Sequence, residues 1–144
     1  MAKVIAHNKV ICCIMNNDSV AKDSMVAEEV ILGLTRRINI ATSAGIEDEK
    51  IILDPGIGFH NSTETDYKLM AALGQMKSLG YPILLGVSNK SLIGNVCGAD
   101  KNDRLPGTIA LNTIGIMSGV SFIRVHDVAA HAQAIKVATG VLQY

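Results

Sequence analysis

Four short apolar runs recur along the chain, and a helical pattern follows each one. The runs are Val10 to Met15, Lys50 to Leu53, Pro82 to Val87 and Phe122 to Val125. They recur at roughly 30 to 40 residues, the size of one βα unit. Parallel strands need a long crossover between them, and a helix is the usual one. The spacing therefore predicts an α/β fold of about four βα units around a parallel sheet. The runs are apolar throughout rather than alternating, as expected of strands covered on both faces.

The intervening segments carry helix signals. Asp18 or Ser19 can cap a helix whose apolar residues Val26, Val30, Leu34 and Ile38 fall at helical spacing, and Gly45 ends it. Thr63 begins a helix with Leu69, Met70, Leu73 and Met76, closed by Gly80. A Gly- and Asp-rich loop is expected from Gly94 to Asp103. A helix then carries Ile109 to Met117 and stops at Gly119, and a last helix spans Ala129 to Val141. Met1 to Asn8 resembles the end of a further helix, so the chain reads as beginning inside a βα unit. Nothing reads as a linker, and the 144 residues are expected to form one domain, 1–144.

Composition excludes several partners. The 13 basic and 13 acidic residues cancel, so no net field attracts nucleic acid or an anionic membrane. With no Trp, two Phe and three Tyr, a base-stacking surface is also missing. No apolar run approaches the ~20 residues of a membrane span, and no signal peptide opens the chain. Cys12 and Cys13 are strand neighbours pointing to opposite faces, hence poor disulfide partners. With Cys97 they form an odd, sparse set that fits a reducing cytoplasm, and they read as core thiols.

Three strands end in polar clusters, on the face where parallel α/β proteins keep their chemistry. Leu53-Asp54-Pro55-Gly56-Ile57-Gly58-Phe59 turns sharply beside a carboxylate. Asp54 can accept paired N–H groups from a planar heterocycle; capping its own turn is the structural alternative. Leu85-Gly86-Val87-Ser88-Asn89-Lys90-Ser91 puts a lysine and two hydroxyls at a strand mouth. Lys90 can hydrogen-bond a ring carbonyl or nitrogen and assist a leaving anion; a surface lysine beside a helix cap is the alternative. Arg124-Val125-His126-Asp127-Val128 alternates, so Arg124 and His126 share a face and suit phosphate or pyrophosphate. Asp127 is expected to cap the last helix. His7, His60 and His131 read as surface or loop residues. The residue types together suit a neutral polar ring joined to an anion.

These runs, with Arg104 and Gly107-Thr108, resemble the dihydropteroate synthase family in order and spacing across essentially the whole chain. The resemblance implies a TIM barrel and a transferase of folate biosynthesis. Such enzymes join 6-hydroxymethyl-dihydropterin pyrophosphate to p-aminobenzoate and release pyrophosphate. It implies that Asp54 binds the amino-pyrimidine edge of the pterin, with Lys90 on the other side of the ring. Gly86 would let the ring approach the strand, and Met15 would pack beneath it. Phe59 and Ser91 would border the aminobenzoate. Arg124 and His126 would hold the pyrophosphate, and Mg²⁺ would ride on the diphosphate. Lys90, Arg124 and His126 would be the catalytic groups.

A TIM barrel takes roughly 250 residues, and the resemblance covers only the last four βα units. The first half would carry the metal-binding Asn, a further pterin-binding Asp and Asn, and two mobile loops. An isolated half barrel exposes two sheet edges and an unfilled interior. It is expected to pair with itself, to pair with a separate first half, or to be a fragment of a longer chain. Departures from the family pattern are Asn89 in place of Arg, Asn16 in place of His, and His60-Asn61 in place of Gly-Lys. Asn89 removes a cation near the aminobenzoate side. A non-catalytic half barrel binding a pterin or phosphate is an alternative reading. A methyltetrahydrofolate-binding methyltransferase domain fits less well, because that family lacks the Lys90 and Arg124 runs.

Overall fold

The computed structural model describes residues 1–18, 25–60 and 62–144. Among these the elements run α1 (Ala2–Asn8), β1 (Cys12–Met15), α2 (Val26–Ser43), β2 (Ile51–Asp54), α3 (Thr63–Ala71), α4 (Leu73–Met76), β3 (Leu84–Leu85), α5 (Ser91–Cys97), α6 (Leu105–Met117), β4 (Phe122–Ile123) and α7 (Val128–Val141). β1 pairs parallel with β2, setting Met15 opposite Asp54, and β3 pairs parallel with β4, setting Leu85 opposite Ile123. A parallel bridge between Leu53 and Ile83 joins the two pairs, so the order is β1-β2-β3-β4. This is half of a (β/α)8 barrel.

One face of the strands makes the core. Ile51, Leu53, Leu85 and Val87 are buried against Val30 and Leu34 of α2 and against Leu69, Leu73 and Met76 beneath α3 and α4. Burying such side chains is worth about 1.5–3 kcal/mol each and holds the layers together. The other face is open, which corrects the expectation of strands covered on both sides. Cys13 is exposed and Phe122 keeps 47% of its surface in contact with solvent. Continuous apolarity here marks a barrel interior without its opposite wall.

The local readings hold in part. Gly80 closes the helical segment that follows β2, in the left-handed region at φ 79°, and Asp127 caps α7 by accepting the Ala130 N–H at 2.9 Å. The helix opened by Thr63 breaks at Ala72 into α3 and α4. α5 runs into the expected loop from Gly94 to Asp103 and ends only at Cys97, where Gly98 turns left-handed at φ 65°. α2 begins after Met25 without a side-chain cap, and Ser19 lies outside the described residues. Asp18 instead grips the Arg37 guanidinium through both oxygens, at 2.7 and 2.8 Å. His7 is exposed and His60 lies in the loop between β2 and α3, as expected, although the His60 side chain is only 2% exposed; His131 is 1% exposed within α7, so it is neither a surface nor a loop residue. The cysteines are free, but Cys13 and Cys97 are exposed rather than core thiols. No described helix is long and apolar enough to cross a membrane.

The Arg37 pair holds the Asp18 carboxyl down at about 2, against 3.8 unperturbed. A carboxyl depressed on folding stabilises the protein above its unfolded value and loses that effect as pH falls through its folded value. Asp18 therefore contributes fully above pH 4 and nothing below about pH 2. The Asp18→Asn variant is expected to lose less urea resistance than wild type between pH 5 and pH 2. An identical acid loss in both would remove the pair from the stability of the fold.

Candidate functional site

The carboxyl ends of β2, β3 and β4 converge. Asp54 closes β2 and is 4% exposed. Its Oδ1 accepts the Gly56 N–H at 2.8 Å, and its Oδ2 lies 3.9 Å from Arg124 Nη2. One oxygen thus caps the turn, as the structural alternative expects, and the other lies toward Arg124. Gly56 has φ 78°, and a Cβ there would strike the carbonyl oxygen of Asn16. Only glycine lets the turn fold back this tightly against β1.

Two residues after β3, the turn through Ser88, Asn89 and Lys90 is held from behind. Asn89 sits at φ 57°, a left-handed position that Asn tolerates better than most residues. Its N–H donates to Thr108 Oγ1 at 3.1 Å, and its carbonyl accepts from Arg104 Nη1 at 3.0 Å. Arg104 also donates to the Ala99 carbonyl at 3.2 Å. The Arg104 and Gly107-Thr108 motif thus supports the turn from the start of α6. Truncation by Arg104→Ala removes two charge-assisted bonds. It is expected to cost about 1–3 kcal/mol in thermal unfolding and to speed hydrogen exchange at Asn89 and Lys90. Unchanged exchange there would deny the supporting role.

The turn delivers Lys90. Its Nζ donates to the Ile57 carbonyl and stands 4.3 Å over the Phe59 ring, a cation–π geometry. Burial pushes the Lys90 ammonium below the ordinary lysine range; Asp54 and Asp66 oppose that shift, while Arg124 adds to it. Beyond β4, His126 Nδ1 lies 2.8 Å from Ser88 Oγ, which also accepts the His126 N–H at 3.2 Å. Ser88 so fixes the ring and leaves Nε2 for a ligand. Gly86 gives the Arg124 guanidinium room, because a Cβ there would come within 2.8 Å of Nη2 and displace the end of that side chain.

Gly86, Ser88, Lys90, Arg124, Val125 and His126 line a cleft of about 270 Å³. Asp54 flanks it, with Met15 across the β1–β2 register. Phe59, 56% exposed, and Ser91, exposed at the start of α5, stand outside its lining. Asn16 is buried, donating its N–H to the Asp54 carbonyl at 2.9 Å and accepting from Arg37 at 3.3 Å through Oδ1. Asn61 lies outside the described residues. Sequence reading missed Asp66, 3% exposed in α3, which accepts the Gly58 N–H at 2.7 Å and meets His60 Nδ1 at 3.1 Å.

Parallel strands that end in a buried carboxylate, a lysine and an arginine–histidine pair define a strand-end site of the barrel class. The chain belongs to the pterin binding enzyme family, whose profile matches residues 1–126. It is 45% identical over 137 residues to dihydropteroate synthase of Clostridium beijerinckii, covering 94% of this chain and 51% of that protein. It superposes with TM-score 0.95 and 39% identity on dihydropteroate synthase from Clostridium difficile, crystallised in the presence of pteroic acid. That match covers 100% of this chain and 55% of the other. The Xanthomonas albilineans enzyme in complex with 7,8-dihydropteroate gives TM-score 0.94 at 33% identity, over 99% and 55% of the two chains. The chain thus spans about half the length of the relatives it matches.

Among the described residues no three His, Cys, Asp or Glu side chains gather as a metal cluster. The groups around the cleft are Lys90, Arg124 and His126, which attract anions, and Asp54 is engaged by Gly56 and Arg124. This donor set does not fit Mg²⁺, a hard cation that demands oxygen ligands.

Proposed function

We propose that residues 1–144 are the C-terminal half of a dihydropteroate synthase and supply its pterin and diphosphate subsites. The observation that carries this reading is the meeting of Asp54, Lys90, Arg124 and His126 at the strand ends. Asp54 would accept the amino group and ring N–H of the pterin, while Lys90 would donate to the ring from the other side. Met15 would pack beneath the pterin, and Gly86 would let it approach. Arg124 and His126 would hold the diphosphate. Phe59 and Ser91, outside the cleft lining, would border the aminobenzoate.

The reaction breaks the C–O bond at the exocyclic methylene. The electron pair leaves with diphosphate, and the arylamine nitrogen forms the new C–N bond and then loses its proton. No covalent nucleophile on the protein is needed. Arg124, His126 and Lys90 stabilise charge as it develops on the departing group. Mg²⁺, implied by the resemblance, would come with the diphosphate and with ligands from outside this chain. The remaining barrel wall would come from a first half or a second copy of this chain. The three free thiols suit the cytoplasm.

The test is calorimetric titration with 6-hydroxymethyl-dihydropterin pyrophosphate, with Arg124→Ala and His126→Ala as controls. Arg124→Ala is expected to weaken binding by about 10- to 100-fold, the loss typical of a charge-assisted bond. His126→Ala is expected to weaken binding as well, because it removes the imidazole that Ser88 holds beside Arg124 in the cleft. Equal affinities in all three proteins would reject the anion subsite.

A further inference from the structure

Asp66 is an anomaly on its helix. α3 carries Glu64, Asp66 and Lys68 in succession along its first half. Glu64 and Lys68 pair with each other in solvent at 2.7 Å. Asp66 turns inward and is 3% exposed. A buried carboxylate is costly unless hydrogen-bonded, so what it bonds to is informative. Its Oδ1 accepts the Gly58 N–H at 2.7 Å and lies 3.1 Å from His60 Nδ1.

The Gly58 nitrogen and the Ile57 carbonyl belong to one peptide group. That carbonyl accepts the Lys90 ammonium. In a trans peptide the N–H and C=O point in opposite directions across one rigid plane. A carboxylate on the N–H side polarises the group and makes its oxygen a stronger acceptor on the far side.

We propose that Asp66 is a positioning residue for Lys90, acting through the Ile57–Gly58 peptide, which bridges carboxylate and ammonium, with His60 locking the carboxylate in place. The proposal deepens the assignment of Lys90 to the pterin subsite and rests on that assignment for its functional meaning. The bridge fixes two things at once. It sets the direction of the Lys90 ammonium, and it sets the turn that places the Phe59 ring beneath it. Asp54 and Arg124 also act on Lys90, in opposite senses. Asp66 differs from both in being bonded to the same peptide whose carbonyl accepts Lys90, whereas the backbone bond of Asp54 goes to Gly56.

The experiment uses NMR of the whole chain, with Lys90 Cε and Nζ and the Gly58 amide as probes. Asp66→Asn keeps an acceptor for the Gly58 N–H and removes only the charge. Lys90 is then expected to titrate at lower pH than in wild type while the fold is retained. Lys90→Met is expected to move the Gly58 amide proton upfield, because the shared peptide loses its ammonium. Glu64→Gln, in the exposed pair on the same helix, is expected to move neither probe. Pteroate affinity is expected to fall about ten-fold in Asp66→Asn, the loss of one charge-assisted contact.

A Lys90 titration unchanged in a folded Asp66→Asn protein would overturn the proposal and leave Asp66 a residue of the turn alone. A Gly58 amide indifferent to Lys90→Met would overturn it equally. If wild type takes up no pteroate while both probes move as expected, the bridge stands and the pterin assignment of Lys90 falls.

Discussion

Asp54→Asn is expected to lower pteroate affinity about 10- to 100-fold while leaving the thermal midpoint nearly unchanged. The asparagine Oδ1 can still accept the Gly56 N–H that Asp54 holds at 2.8 Å, so the turn survives. What changes is the second atom. An acceptor becomes an NH₂ donor, set against the amino and ring N–H donors of a pterin. A hydrogen bond to a charged acceptor is worth about 1.5–3 kcal/mol, which converts to the stated loss at 1.4 kcal/mol per tenfold. Asp54→Ala is expected to lose both functions, since it also orphans the buried Gly56 N–H at a cost of about 1–3 kcal/mol. Calorimetry and thermal unfolding on the same samples separate the two. If Asn and Ala lose binding only in proportion to stability, Asp54 is a turn residue and nothing more.

The second large effect concerns the open interior. In a complete barrel the inward side chains fill the centre in layers. Here the inner face ends at solvent, and a groove of about 650 Å³ runs along the free edge of β1, lined in part by Ile5, Cys13, Met15, Ile40 and Ile46. An unpaired parallel edge beside apolar surface invites another strand. The chain alone is expected to sediment as a self-associated species. Mixed with the first half of the Clostridium beijerinckii enzyme, it is expected to form a one-to-one complex. Dihydropteroate formation should then rise at least about 100-fold over either half, because misplaced reacting groups cost on that order. Cys13 reports the event, since its exposed thiol would be covered by the new wall. Burial and Asp54 push that thiol upward, so labelling is best read at alkaline pH. Monomeric behaviour alone, with Cys13 equally reactive after mixing, would refute the pairing.

The sequence made the units legible because strand and crossover differ in period, and because Gly80 and Gly119 mark real helix ends. It also made Asp54, Lys90, Arg124 and His126 legible, since each follows a strand and strand ends share a face. What it hid depended on the third dimension. His60 looked like a loop residue, yet its ring packs against Asp66, and only the return of α3 across the Asp54–Phe59 turn brings the two together. Asp66 looked like an ordinary acidic residue favoured near a helix N-terminus. Its spacing from Glu64 and Lys68, off their shared exposed side, was the one available signal. Gly94 suggested a loop, but α5 continues through it. Asp18 looked like a cap because a capping residue is recognised by type, whereas its partner Arg37 stands 19 positions away.

The join between the two strand pairs has a consequence for binding. β1–β2 and β3–β4 meet through the Leu53–Ile83 bridge and a bond from the Leu53 N–H to the Pro82 carbonyl at 2.9 Å. Asp54 belongs to one pair, while Lys90, Arg124 and His126 follow the other. The site therefore straddles a seam between two quarter barrels that share one hydrophobic core and are joined at the site by the Lys90–Ile57 bond. Across that seam the Asp54–Arg124 pair spans 3.9 Å, too long for a direct hydrogen bond. A ligand that reaches from the carboxylate to the guanidinium would stitch the quarters together, so occupancy of the site and rigidity of the fold become one equilibrium.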